Sequence, residues 1–463
     1  MSNKIFSLLI FLTIFSCKNN STENIQGIAD YAITNLTLID GSGADAAPNA
    51  TISIKDEKIS RITRDPVGIN ADSIIDGTGK YVIPGLFDNH FHLSDDIPRQ
   101  FKHLIHFGVT NVFIPAGRYM TYPVVRKYDS LIRTNTISGP TLRWSSPFIT
   151  VPGGHPRGNG GIEGENIHRI TSTAEIPKIV EDAKANGAIA LKVMIEDGPR
   201  PPFIERIKPE LIKRLRQEAN RHNLMLVTHI SDRIELEMSV EHKADAIMHY
   251  VNPSLDWESD LELVQKIKDQ NIYWVTTAML GKAYTTYPLN PELLESEHWA
   301  VFDKEKEILK KEAGQHKEIA LGIVKNYYNL TLEQWKDHKM PSHADFRKLD
   351  SLGITIVVGT DKGSPNLYNA SGLGVHEEMQ IYQDGDMDPL NIIKCATLNA
   401  AKMLKMDKDY GTIEEGKYAN MVLLDKNPLE NISNTLTINT VFKYGEIQNR
   451  ITNANNGNRY TGH

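Results

Sequence analysis

Eight short apolar runs, separated by stretches of helical periodicity, constrain this chain more than any other feature. They are Leu86–His92, Val109–Ile114, Thr141–Trp144, Ile189–Met194, Met225–His229, Ala246–His249, Tyr273–Thr277 and Ile354–Gly359. Helical periodicity stands between them, as in Glu175–Asn186, Pro209–His222, Ile234–Lys243 and Asp260–Gln270. Strands that alternate with helices, joined by right-handed parallel crossovers, predict an α/β fold of the (β/α)₈ TIM-barrel kind. A doubly wound open sheet is the structural alternative, but no Gly-rich phosphate fingerprint follows any early strand. Residues 281–340 are too long for an ordinary connection. They carry charged helix-like stretches such as Phe302–Lys311, which predicts a helical insertion over one end of the barrel.

The flanks have a different texture. Residues 30–80 hold β-like runs such as Tyr31–Ile39 and Thr51–Ile54, punctuated by Gly41-Ser42-Gly43 and Asp76-Gly77-Thr78-Gly79. The same style returns in Ala419–Asp425 and Thr440–Tyr444. Chain ends commonly lie close together, so 30–80 and 410–450 are expected to form one small β-sandwich domain beside a barrel of residues 81–409. With 463 residues, a large domain plus a smaller one is the expected division.

The start of the chain reads as an address. A short charged segment precedes the apolar run Ile5–Phe15, which is too short to span a bilayer, and Ser16-Cys17 follows. This resembles a bacterial lipoprotein signal, with residues 1–17 ending at the lipidated cysteine and 18–29 serving as a flexible tether. An ordinary secretory signal is the alternative. The expected location is the bacterial cell envelope, with a lipid anchor in the membrane. Cys395 is the other cysteine of two, so an internal disulfide is not expected. The net charge is −7 and there is no Arg-rich run, which argues against a nucleic-acid partner. The tail from Thr452 is polar and reads as disordered.

Catalytic residues of such barrels sit at the C-terminal ends of the strands. The first run ends His90-Phe91-His92, and on a strand these two imidazoles point to one side, about 6–7 Å apart. The fourth run places Lys192 inside an apolar segment, where a lysine is costly unless neutralised or paired. The fifth ends at His229, the sixth at His249, and the eighth leads into Asp361. Taken singly, His229 and His249 could be satisfied core histidines and Asp361 a helix cap. Together they supply nitrogen and oxygen donors suited to zinc or a similar divalent ion, provided the barrel closes.

With these residues in view, the chain resembles the metal-dependent amidohydrolase superfamily, in its imidazolonepropionase-like and dipeptidase-like branch. The segments that carry the likeness are Val82–His92, Gly153-Gly154-His155, Val358-Gly359-Thr360-Asp361, Ala396–Ala401 and Gly411–Asn420. The resemblance implies that His90, His92 and Asp361 hold the more buried of two metals, expected to be zinc. It implies that His229 and His249 hold the second, and that Lys192, carboxylated by CO₂, bridges the pair. Asp361 would take the proton of a metal-activated hydroxide and deliver it to a leaving nitrogen. His155 would face the substrate, an amide, cyclic amide or dipeptide.

Two departures bear on that substrate: Pro156 follows His155 where relatives often have Gly, and Ser231 stands where dipeptidase-like relatives often carry Tyr. His376 reads as a packing group, or one that supports a ligand, rather than a ligand itself. The alternatives are a deaminase on the same fold, which needs no bridging lysine, and a non-catalytic ligand-binding lipoprotein.

Overall fold

A computed structural model describes residues 28–65, 68–156, 164–198, 203–252, 254–326, 328–336, 341–363 and 368–451. The expected signal segment, most of the tether and the polar tail lie outside the described residues. No helix among the described residues is long and apolar enough to cross a membrane.

Five strands open the chain: β1 (Ala29–Leu38), β2 (Ala47–Lys55), β3 (Lys58–Thr63), β4 (Ala71–Asp76) and β5 (Tyr81–Pro84). The next nine are β6 (Leu86–Asp88), β7 (Val109–Ile114), β8 (Thr141–Thr150), β9 (Ile167–Arg169), β10 (Ala190–Met194), β11 (Met225–His229), β12 (Ala246–Met248), β13 (Tyr273–Val275) and β14 (Thr355–Val357). The last are β15 (Met421–Leu424), β16 (Ile438–Lys443) and β17 (Glu446–Ile447).

All eight expected barrel strands form, and they pair in parallel from β6 round to β14, with β9 added beside β8. The turn after β6 closes the ring against the segment after β14. Asn89 N–H donates to the Val358 carbonyl at 3.1 Å and His92 N–H to the Lys362 carbonyl at 2.6 Å. The buried Asp88 carboxylate accepts from the Thr360 amide at 3.0 Å and from its hydroxyl at 2.7 Å. Gly359 lies at this seam, where an added Cβ would come 2.4 Å from Val275 and 3.0 Å from His90.

Two boundaries differ from expectation by more than two residues. The first strand ends at Asp88 rather than His92. Phe87 packs inside the barrel and Leu86 outside, so regular alternation would send His90 and His92 outward with Leu86. The break at Asn89 re-aims both inward, and the Asp88 side chain accepts from His90 N–H at 3.2 Å there. The third strand, expected to end at Trp144, runs on through Pro147 to Thr150. The β8–β10 ladder shifts register beside this proline, and Lys192 N–H donates to the Ser146 hydroxyl at 3.1 Å.

Inward residues Phe87, Phe113, Ala190, Val227, Met248 and Val357 fill the barrel, and Met403 and Tyr410 pack against them from beyond the barrel strands. Outward residues such as Leu191, Val193, Leu226 and Ile247 pack on the surrounding helices. The ends of the chain build one small domain, its two halves joined by antiparallel pairing of β5 with β15 in a mixed sheet around Ile33, Ile52, Val82, Leu423 and Phe442. The insertion is helical, its main helix Asp303–Asn326, and Arg99 ties the start of that helix to the barrel through Asp303 and Glu305.

Candidate metal centre

Every residue singled out at the strand ends arrives at the barrel mouth. Asp361 Oδ1 lies 3.2 Å from His90 Nε2 and 2.9 Å from His92 Nε2. His249 Nε2 lies 2.9 Å from His229 Nδ1. The His90 and His249 rings, 4.8 Å apart, join these two groups. Lys192 follows Ala190 on the interior face of β10; it is fully buried, and its Nζ has no hydrogen-bond partner. His155 stacks on His229 with ring centroids 5.0 Å apart.

Backbone geometry re-aims two of these groups. Ala246 and Met248 face inward, so His249 would follow Ile247 outward; a left-handed backbone at φ 75° turns it into the mouth instead. Asp361 has φ 55°, and Ala116 and Thr277, also just past barrel strands, have φ 69° and 50°. Such strain in residues other than glycine gathers at functional sites.

The donors suit a divalent cation. Burial, with help from the Lys192 charge, holds His90, His229 and His249 well below the usual imidazole range, so each ring keeps one nitrogen free to bind a cation. His92 Nδ1 lies 2.9 Å from the Ala116 carbonyl, which can only accept, so Nδ1 carries a hydrogen and Nε2 is the nitrogen turned toward the Asp361 carboxylate. Burial pulls the Asp361 carboxyl up, but His92, His249 and Lys192 outweigh it and hold it below its ordinary value. Burial brings the Lys192 amine down to about 7, against the pull of Asp361 and Glu196. Nitrogen and oxygen donors that converge around an unpartnered amine suit a bound cation.

Sequence reasoning missed Glu196. Its Oε2 lies 2.5 Å from His229 Nε2 and 3.6 Å from His155 Nδ1. The signal was present: Glu196 follows Lys192 by four residues, two past the end of β10, in phase with the strand face that carries the lysine. Also missed were two partners that fix ring orientation, the Ala116 carbonyl on His92 and the Thr277 hydroxyl, 2.8 Å from His249 Nδ1. A cavity of about 880 Å³ opens above the cluster. Its wall includes Tyr250 from the barrel and Leu280, Tyr284, Ile323 and Tyr328 from the insertion region.

A closed parallel barrel with a histidine, lysine and aspartate cluster at its C-terminal mouth defines a metal-assisted hydrolase architecture. Residues 81–448 match the Amidohydrolase family. The chain therefore belongs to that family, hydrolytic enzymes that act on carbon–nitrogen bonds and generally use a divalent metal. It is 25% identical over 390 residues to an ochratoxinase of Aspergillus niger, covering 76% of this chain and 71% of the relative. It is 26% identical over 412 residues to a 5-methylthioadenosine/S-adenosylhomocysteine deaminase of Thermoanaerobacter pseudethanolicus, covering 81% and 80%. In structure it is similar to a Xaa-Pro dipeptidase crystallised with methionine in the active site, with a TM-score of 0.67, 18% identity and coverage of 90% and 99%.

Proposed function

We propose that this chain is a two-metal hydrolase of a small amide, cyclic amide or dipeptide. The observation that carries it is the convergence of two donor groups, His90–His92–Asp361 and His229–His249, around the unpartnered Lys192 Nζ. Each group would hold one ion, with zinc the best match to the nitrogen-rich donors. Lys192 would bridge them as a carbamate: its neutral amine adds to the carbon of CO₂ and loses one proton, leaving an anionic oxygen donor. Divalent ions held there supply electrophilic polarisation and acidify water.

The chain's own residues do the rest. The Asp361 carboxylate accepts a proton from the attacking water and returns it to the leaving nitrogen. His155, at the cavity edge beside His229, meets the substrate. The tyrosine-lined wall offers apolar surface to the groups flanking the scissile bond. The deaminase relative supports a second reading on the same site; Lys192 favours the first, since a one-metal deaminase needs no bridge.

The test is metal analysis of the purified protein together with a screen of dipeptides, lactams and hydantoins. About two equivalents of metal, with amide cleavage lost to a chelator and restored by zinc, are expected. One equivalent with release of ammonia from an aminated ring would establish the deaminase instead. The run Ile5–Ser16 before Cys17 also supports a lipid anchor in the cell envelope. Cys17→Ala should move the protein into the soluble fraction or stall its processing, and unchanged membrane fractionation would refute the anchor.

A further inference from the structure

We propose that Glu196 is a positioning residue. It holds His229 in the one tautomer and orientation that aims an unprotonated Nδ1 at the centre of the mouth, and it ties that ring to His155. The proposal rests on the reading of His229 as a metal ligand.

Three observations carry it. The first is the 2.5 Å contact between Glu196 Oε2 and His229 Nε2. A carboxylate accepts, so Nε2 carries the hydrogen and Nδ1 keeps its lone pair. That Nδ1 is the atom 2.9 Å from His249 Nε2, where the two imidazoles converge. The second is a shared pattern. His92 is oriented through its other nitrogen by the Ala116 carbonyl and His249 by the Thr277 hydroxyl. Glu196 plays that part for His229, and it is the only one of the three that brings a formal charge. The third is reach: the same Oε2 lies 3.6 Å from His155 Nδ1, and the His155 ring stacks on His229 at 26° between planes. One oxygen thus registers the ligand ring and the substrate-facing ring against each other.

A competing role is direct coordination, since His155, Glu196 and His229 each place one donor atom within 4.8 Å of the others. That role needs a lone pair on His229 Nε2, the nitrogen already committed to Glu196. The geometry therefore favours orientation over ligation. Orienting partners of this kind typically matter 10–100-fold in metal affinity or activity.

The test compares the full-length enzyme with its Glu196→Ala and Glu196→Gln variants. The readouts are metal retained during a timed chelator challenge, kcat and KM separately, and Tm. In Glu196→Ala one of the two metal equivalents should leave about 10–100 times faster and kcat should fall by a similar factor, with KM changing less. Glu196→Gln should recover most of both, because its amide oxygen still accepts the Nε2 hydrogen at the same reach. A Glu196→Ala variant with unchanged retention and kcat overturns the proposal. So does equal metal loss in both variants at normal Tm, which marks a direct ligand, and so does a rise in KM alone, which marks a substrate contact. His229→Ala separates the layers: if it keeps both metals, the ligand reading falls and takes the proposal with it.

Discussion

Two sets of histidines, one at the barrel mouth and one on the helices outside the barrel wall, are built differently. At the mouth, His90, His92, His229 and His249 face one another, Lys192 and carboxylates. Behind the barrel wall, on the helices Ile97–His106 and Leu373–Asp384, His103, His106 and His376 form a rear set that faces the insertion and the small domain. Burial holds all three rear imidazoles well below the usual range, His103 and His376 to about 4 and His106 to about 3. A low imidazole pKa therefore does not mark the site. The partners do. His376 Nε2 lies 2.8 Å from the Phe107 carbonyl and its Nδ1 2.8 Å from the Thr435 hydroxyl. His103 Nε2 lies 3.2 Å from the Val301 carbonyl, and His106 Nδ1 accepts from Ile451 N–H at 3.1 Å. These are ordinary backbone and hydroxyl partners, and they make the rear set into packing groups. The mouth set turns its ring nitrogens toward one another and toward Asp361, the arrangement of a cation site.

The comparison breaks most visibly at Asp361. Asp361→Asn keeps the shape and one oxygen donor but loses the basicity, so kcat should fall about 10²–10⁴-fold. Metal content and Tm should change less than in His90→Ala. Near-normal kcat with both metals in place would reduce Asp361 to a ligand or a turn residue.

Lys192→Ala sharpens the mouth from the inside. It should lower bound metal toward one equivalent and reduce turnover, and acetate should restore part of the activity by supplying the missing oxygen. Two tightly held metals at full activity would make Lys192 a structural residue with no tie to the centre.

The rear set should appear in stability rather than turnover. His103 and His376 stay neutral in the folded chain down to about pH 4, whereas the unfolded chain protonates them near 6.5. Below pH 6.5 the unfolded state binds more protons, so stability falls as pH drops from 6.5 to about 4 and levels off beneath. Each histidine contributes up to about 3 kcal/mol over that window, at 1.36 kcal/mol per pKa unit. Chemical denaturation between pH 7 and 4 should show the loss, and His376→Gln should shallow it while leaving kcat unchanged. An unaltered slope in that variant would mean other groups carry the acid sensitivity.

Much of this was legible from local pattern. The apolar runs marked all eight barrel strands, because a strand covered by helices outside and packed inside must be apolar along its length. Reading the residues at the ends of those runs found His90, His92, Lys192, His229, His249 and Asp361, because a parallel barrel puts all its C-terminal strand ends at one mouth. His376 was read as a packing residue, and its partners agree.

What only the tertiary structure decided depends on contacts between distant parts of the chain or on backbone turns with no local signature. Regular alternation would have turned His90, His92 and His249 outward; the break at Asn89 and the left-handed backbone at His249 bring them in. The seam that closes the barrel joins Asp88 to Thr360, 272 residues apart. The expected third strand stopped at Trp144, yet β8 passes through Pro147 to Thr150, with the ladder beside the proline shifted in register. Glu196 acquired its meaning from His229, 33 residues on, and the tyrosine wall from an insertion that folds back over the mouth. Periodicity reports which face of an element is buried. It carries no information on which buried group meets which, since that pairing is fixed by the closure of the barrel as a whole.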